Sequence, residues 1–283
     1  LLASSAASDV YKRQGNMKKS LKFFSLLIAL LVIMTGCDTT KKDAKEQLED
    51  AIKKTSESKG ITLKLDASME ATAEGTTMTV SLGMNGDYYN DDTPTSHFTT
   101  NVSLLGMSQE MEMYTEVKDG YNYTYTKSGD KWTYTKSEYK KEETSTEQIK
   151  EVLDNAKSVK EEKTDKKGYT KLVVTVDKDK INEAMKDESI SSLVSDDTKI
   201  NSDITMNVYL KDGYVSIIEM DLGNVLKDAL ADSEGSSDAN VKATITIEMS
   251  NFNKVDKISV PEDVTKNATE ETDSDLSDSL LSE

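Results

Sequence analysis

Thirteen consecutive residues, "ITLKLDASMEATA" at 61–73, alternate Ile61, Leu63, Leu65, Ala67, Met69 and Ala71 with Thr62, Lys64, Asp66, Ser68, Glu70 and Thr72. A period of two held for that length is a strand with one buried face and one wet face. The pattern returns in "MTVSLGM" (Met78, Val80, Leu82, Met84), "EMEMYTEV" (Met111, Met113, Thr115, Val117), "DITMNVYL" (Ile204, Met206, Val208, Leu210), "YVSIIEMDL" and "VKATITIEM" (Val241, Ala243, Ile245, Ile247, Met249). "YTKLVVTV", 169–176, is a further strand, and "KDGYNYTYTKSGDKWTYTKS" reads as two strands about a Gly-Asp turn. Asp119-Gly120 and Asp212-Gly213 suit tight hairpins, where glycine supplies the positive φ. A meander of about ten antiparallel strands is the simplest topology for these signals.

Helical spacing is confined to short stretches. "DAKEQLEDAIKKTSESKG" places Ala44, Leu48, Ala51, Ile52 and Thr55 on one stripe and stops at Gly60. "TSTEQIKEVLDNAKSV" opens with a Ser145/Gln148 capping box and carries Ile149, Val152, Leu153 and Ala156 on one side. "DKDKINEAMKDESISSLVS" turns Ile181, Ala184, Met185 and Leu193 together, and a short helical or loop piece lies around Val225 to Leu230. So few helices cannot cover both sides of a wide flat sheet, and such a sheet twists and curls. The expected fold is therefore α+β: a strongly curved antiparallel half-barrel with amphipathic helices in its concave side. The repeated "KDGY" at Lys118 and Lys211 hints at two related halves, although tight Asp-Gly turns arise independently.

The amino end has a different character. Lys18, Lys19 and Lys22 precede an apolar run from Phe23 to Met34, too short to cross a bilayer, which needs roughly 18 to 20 residues. This is the layout of a secretory signal peptide at 17–36. The run ends in "MTGC", which resembles the lipobox of bacterial lipoproteins with Met34 in place of the usual leucine. The resemblance implies that Cys37 receives a diacylglyceryl group and becomes the mature amino terminus, as a two-chain anchor requires. Residues 37–43 would then be a lipidated linker. Residues 1–16, containing "SDVYKRQ", precede Met17 and read as a non-native extension.

Composition narrows the partners. Of 35 basic and 52 acidic residues, 30 and 51 remain after residue 36, a net charge of about −21 that repels nucleic acid and anionic headgroups. The single cysteine leaves no disulfide, so a packed core must hold the body together. Pro261 closes the expected folded body, a single domain at 44–264, and "TKNATEETDSDLSDSLLSE", 265–283, reads as an acidic disordered tail.

The lipobox, the amino-terminal helix, "DGYNYTYTKSGDKWTYTK", the helix after it and the closing "ITIEMSNFNKVDKISVPEDV" together resemble uncharacterised Gram-positive surface lipoproteins similar to the LolA, LppX and LprG superfamily. That resemblance implies a half-barrel with helices in its concavity, acyl chains carried in the apolar space between, and no catalytic group. It places the chain on the extracytoplasmic face of the cell membrane as a lipid-anchored monomer.

The residues themselves leave two readings open. Met69, Met84, Met111, Met113, Val174, Met206 and Ile245 occupy apolar strand faces and would line a ligand space, where methionine adapts to varied acyl chains, or they fill an ordinary core. The corresponding functions are a carrier of a lipid-like ligand and a surface interaction or envelope-accessory module with a filled interior. Tyr121, Tyr123, Tyr125, Trp132 and Tyr134 would bind a glycan or headgroup, or serve as plain strand filling. His97 is the only histidine, so neither a zinc site nor a histidine-based catalytic pair is expected, and no cofactor is implied. The acidic pairs Asp91-Asp92 and Asp196-Asp197 lack the ligand spacing of a calcium loop. A glycosidase-type carboxylate pair would have to form in three dimensions, and most acids here fall on the wet strand face. The chain is expected not to be an enzyme.

Overall fold

The computed structural model describes residues 42–140, 156–184, 186, 199–231 and 240–271. The signal segment, Cys37, the extension 1–16, residues 144–155 of the capping-box helix and the tail beyond 271 lie outside the described residues. Among the described residues twelve strands form one sheet, which is curved and open rather than a closed barrel.

The chain first builds a meander outward: β1 (Gly60–Ala73), β2 (Thr76–Tyr89), β3 (Thr95–Leu104), β4 (Met107–Lys118), β5 (Tyr121–Ser128) and β6 (Lys131–Glu138). It resumes at the opposite margin with β7 (Ser158–Glu162) and β8 (Thr170–Val176), then β9 (Ile204–Lys211), β10 (Tyr214–Asp221) and β11 (Asn240–Ser250). β11 returns to pair with β1 from Thr62↔Ser250 to Thr72↔Asn240. The strand order is thus β12-β6-β5-β4-β3-β2-β1-β11-β10-β9-β8-β7, where β12 is Thr269–Glu270.

Register puts most of the aliphatic and methionine side chains of β1–β4 and β7–β11 on one inner face, because antiparallel partners share a side and every second residue returns to it. One row runs Ala67, Ile245, Met220, Met206, Val174, Val159 across six strands. A second runs Met111, Thr100, Met84, Leu65, Ile247, Ile218, Val208, Leu172.

Three helices cover part of this face. α1 (Lys42–Ser56) lies against β10 and β7, and its Ala44, Leu48 and Ala51 join the buried cluster with Val159, Leu172, Val174, Met206 and Val208. α2 (Lys178–Ala184) contributes Ile181, and α3 (Gly223–Ala231), lying against β11, contributes Val225. The carboxyl end of α1 is fixed by polar contacts as well as burial. Thr55 Oγ1 donates to the Ala51 carbonyl at 2.7 Å and accepts the Val215 N–H at 2.9 Å, beside the register shift between Val215 and Ile217. Lys54 Nζ donates to the Asp212 carbonyl at 2.8 Å and sits 4.3 Å from the centre of the Tyr214 ring.

Several expectations are corrected. The described residues hold twelve strands rather than about ten, and β12 pairs with β6 in parallel. β3 and β7 are strands without a marked apolar alternation in sequence. Ser158 and Val159, read as the end of a helix, belong to β7. The ordered chain does not stop at Pro261 or at 264: α4 (Glu262–Asn267) and β12 follow, because Val264 finds a buried site and Glu271 N–H donates to the Tyr134 carbonyl at 2.8 Å.

Replacing Thr55 with valine keeps the side-chain shape and removes the acceptor for a buried N–H. The expected loss is about 1–3 kcal/mol. It should be read as a lower urea midpoint with an unchanged denaturant slope.

Candidate functional site

The inner face changes along the sheet. Over β7–β11 it is filled: Val174 and Met206 are each 2% exposed and lie in the closed cluster under the helices. Over β1–β4 it stays apolar but half-exposed, with Met69, Val80, Leu82, Met84, Val102, Met111 and Met113 all partly buried. Leu65, at 2% exposed, and Phe98, at 3%, are the exceptions; the Phe98 ring is laid over Gly86, where a Cβ would come within 2.6 Å of it. Farther out the same face turns to hydroxyls, with Thr115↔Thr124↔Thr135 and Thr126↔Thr133 as cross-strand rows.

The predicted ligand-lining residues therefore share a face without sharing an environment. Val174 and Met206 are core. Ile245 and Met84 pack against the core's edge, and Met69, Met111 and Met113 extend the half-exposed apolar surface beyond it. Phe98 was missed because "TSHFTTNVSL" offers few apolar side chains to mark its period.

A groove of about 690 Å³ sits where β9, β10 and β11 meet the start of α3, lined by Asp203, Asn207, Glu219, Asp221, Asn224 and Ile245 among others. Of the predicted set it contains Ile245 alone. Its carboxylates have structural partners. Asp203 accepts from Lys157 Nζ at 2.6 Å and from the Lys178 N–H at 3.0 Å, and these bonds hold its carboxyl below the usual range. Glu219 accepts the Tyr209 hydroxyl at 3.2 Å, and Asp221 accepts the Gly223 N–H at 2.9 Å at the start of α3. Among the described residues no group of three or more His, Cys, Asp or Glu is placed to hold a metal ion.

The tyrosine band lies on the outer face. Register aligns Asp87, His97, Tyr114, Tyr125 and Tyr134 in one row. His97 stacks on Tyr114 with centroids 4.0 Å apart, and its Nε2 is 2.9 Å from the Glu112 carboxylate. Tyr123, Tyr125 and Tyr134 pack mutually at 5.9–6.2 Å. The segment after β11 comes back over this face: the Ile258 N–H donates to Thr95 Oγ1, Lys257 Nζ meets Asp91 at 2.7 Å, and Val260 and Thr265 share a polar groove of about 540 Å³ with Tyr123, Tyr125 and Tyr134. The Lys257 bond pulls the Asp91 carboxyl down. Asp91, weighed as a calcium ligand, here serves to tie the returning segment.

Burial pushes the Tyr125 hydroxyl well above its ordinary value, and Glu116, which accepts its hydrogen bond at 3.1 Å, adds repulsion against the phenolate. Tyr125 in the folded chain thus holds its proton more tightly than in the unfolded chain. The stability it contributes is complete below about pH 10 and declines as pH rises beyond it. Urea midpoints at pH 8 and pH 10.5 should fall more for the natural chain than for Tyr125→Phe, and the variant should be weaker by about 1 kcal/mol at pH 8 from the lost hydrogen bond.

No family model matches this chain, and no curated protein matches it. Among solved structures it is similar to LprF from Mycobacterium bovis, at 10% identity and a TM-score of 0.44, covering 79% of this chain and 99% of that one. It is also similar to a DUF1329 family protein from Desulfovibrio piger, at 11% identity and a TM-score of 0.27, covering 78% and 96%.

Proposed function

We propose that this chain is a non-enzymatic lipoprotein of the bacterial cell envelope whose half-barrel holds a lipid-like or other hydrophobic ligand on its inner face. The observation that carries this reading is the apolar inner surface of β1–β4, which continues past the closed core and stays half-exposed. Met69, Met84, Met111 and Met113 are the contact residues, and their soft, unbranched side chains suit acyl chains of varied shape. Val174 and Met206 act as the floor on which the helices rest. The described residues contain no helix long and apolar enough to cross a membrane, and attachment is assigned to acylated Cys37, with 17–36 removed as a signal peptide and the body working as a monomer at the extracytoplasmic face.

A second reading, an interaction module with a filled core and no ligand, is favoured by the closed packing beneath α1, where Leu172 and Val159 are fully buried. Mass spectrometry of organic extracts from the purified chain separates the two. The carrier reading expects an acyl-bearing molecule to co-purify and to be lost in a Met84→Glu, Met113→Glu variant that still folds. Extracts free of lipid from both proteins would establish the module. The anchor is checked separately: Cys37→Ser should abolish incorporation of labelled palmitate.

A further inference from the structure

Four hairpins in this sheet turn through two residues of which the second is glycine: Glu74-Gly75, Leu105-Gly106, Asp119-Gly120 and Asp212-Gly213, with φ of 50°, 51°, 52° and 51° at the first position. This left-handed conformation is tolerated by Asp, whose short side chain bonds locally to the backbone, and is unfavourable for a branched apolar residue. Glu74 and Leu105 both depart from this preference; Leu105, the apolar one, is 58% exposed, so no burial compensates for its strain. Strain kept without a packing reason points to function.

The neighbours of Leu105 share its character. Met107 is 66% exposed and Met78 43%, both at the same end of the sheet and on the inner-face side of their strands. Together these three side chains present on the order of 300 Å² of projecting apolar surface, well short of the roughly 800 Å² per partner of a stable protein interface. A second copy is therefore a poor occupant. The flanking residues, Thr76, Thr77, Ser103 and Ser108, are neutral hydroxyls, and the turns on either side carry Glu74 and the Asp130/Lys131 pair, with no excess of cations. On a chain of net charge −17, that disfavours anionic headgroups and suits the uncharged interfacial layer of a bilayer.

We propose that the tip formed by Leu105, Met107 and Met78 is a membrane-contact point that dips into the interface of a zwitterionic bilayer. The chain has one tryptophan, Trp132, which allows a direct test. In a Trp132→Phe background, Met107→Trp reports the tip, and Tyr121→Trp, placed equivalently after the Asp119-Gly120 turn at the other end of the sheet, is the control. The full chain is reconstituted in phosphatidylcholine vesicles with and without brominated acyl chains. Tryptophan at 107 should be quenched by about twofold or more, as expected for a side chain at the acyl boundary, and tryptophan at 121 should not. Adding Leu105→Asn should reduce the quenching while raising the thermal midpoint, a pairing that a purely structural role for Leu105 cannot give. Equal quenching at both positions, no quenching at 107, or a concentration-dependent blue shift without vesicles that marks self-association would each overturn the proposal.

Discussion

The pairing of β1 with β11 is the constraint on which the rest of the sheet depends. It joins residues near 60–73 to residues near 240–250 through eleven consecutive register pairs, and so fuses two meanders built from opposite ends of the chain. A slip of one residue would turn Leu63, Leu65, Ala67 and Met69 to the wet side and bring Lys64, Asp66 and Glu70 inward. The alternation in both strands is long enough to forbid that. Once this seam is set, every other strand can find its register from a neighbour by a short turn or a helical connection.

The inner face then grades from aliphatic on β7–β11, through leucine and methionine on β1–β4, to threonine on β5 and β6. Helices close the first zone, where branched side chains lock into a filled core. The outer face of the threonine zone is where aromatic rings gather, and there the returning segment 251–271 covers them. The two ends of the sheet thus bury opposite faces. This inversion explains why Val174 and Met113, both on apolar strand positions, end in different surroundings.

Legibility followed the same chemistry. Long strands with alternating aliphatic and charged residues were readable, as were the Asp-Gly turns and the stripe of α1. β3 escaped because serine, threonine and asparagine fill it, leaving Phe98 as its one large anchor. β7 escaped because "SVKEE" offers only Val159 to the core and charges elsewhere, as suits a strand at a sheet margin. α4 and β12 were hidden by acidic composition, since a single buried side chain, Val264, and backbone bonds to β6 hold them. The candidate ligand face was legible as a face; the division between packed floor and open surface depends on where α1 lands, and Thr55 fixes that through a residue 160 positions away.

The short parallel pairing of Thr269 and Glu270 with Thr133 and Tyr134 has a consequence for how the molecule ages. Without it, β6 is the margin of the sheet among the described residues, the kind of edge that recruits strands from other molecules. A proteolytic nick in the exposed stretch around Lys254 to Lys257 would release this guard and leave the tyrosine-rich hairpin open to fibrillar growth.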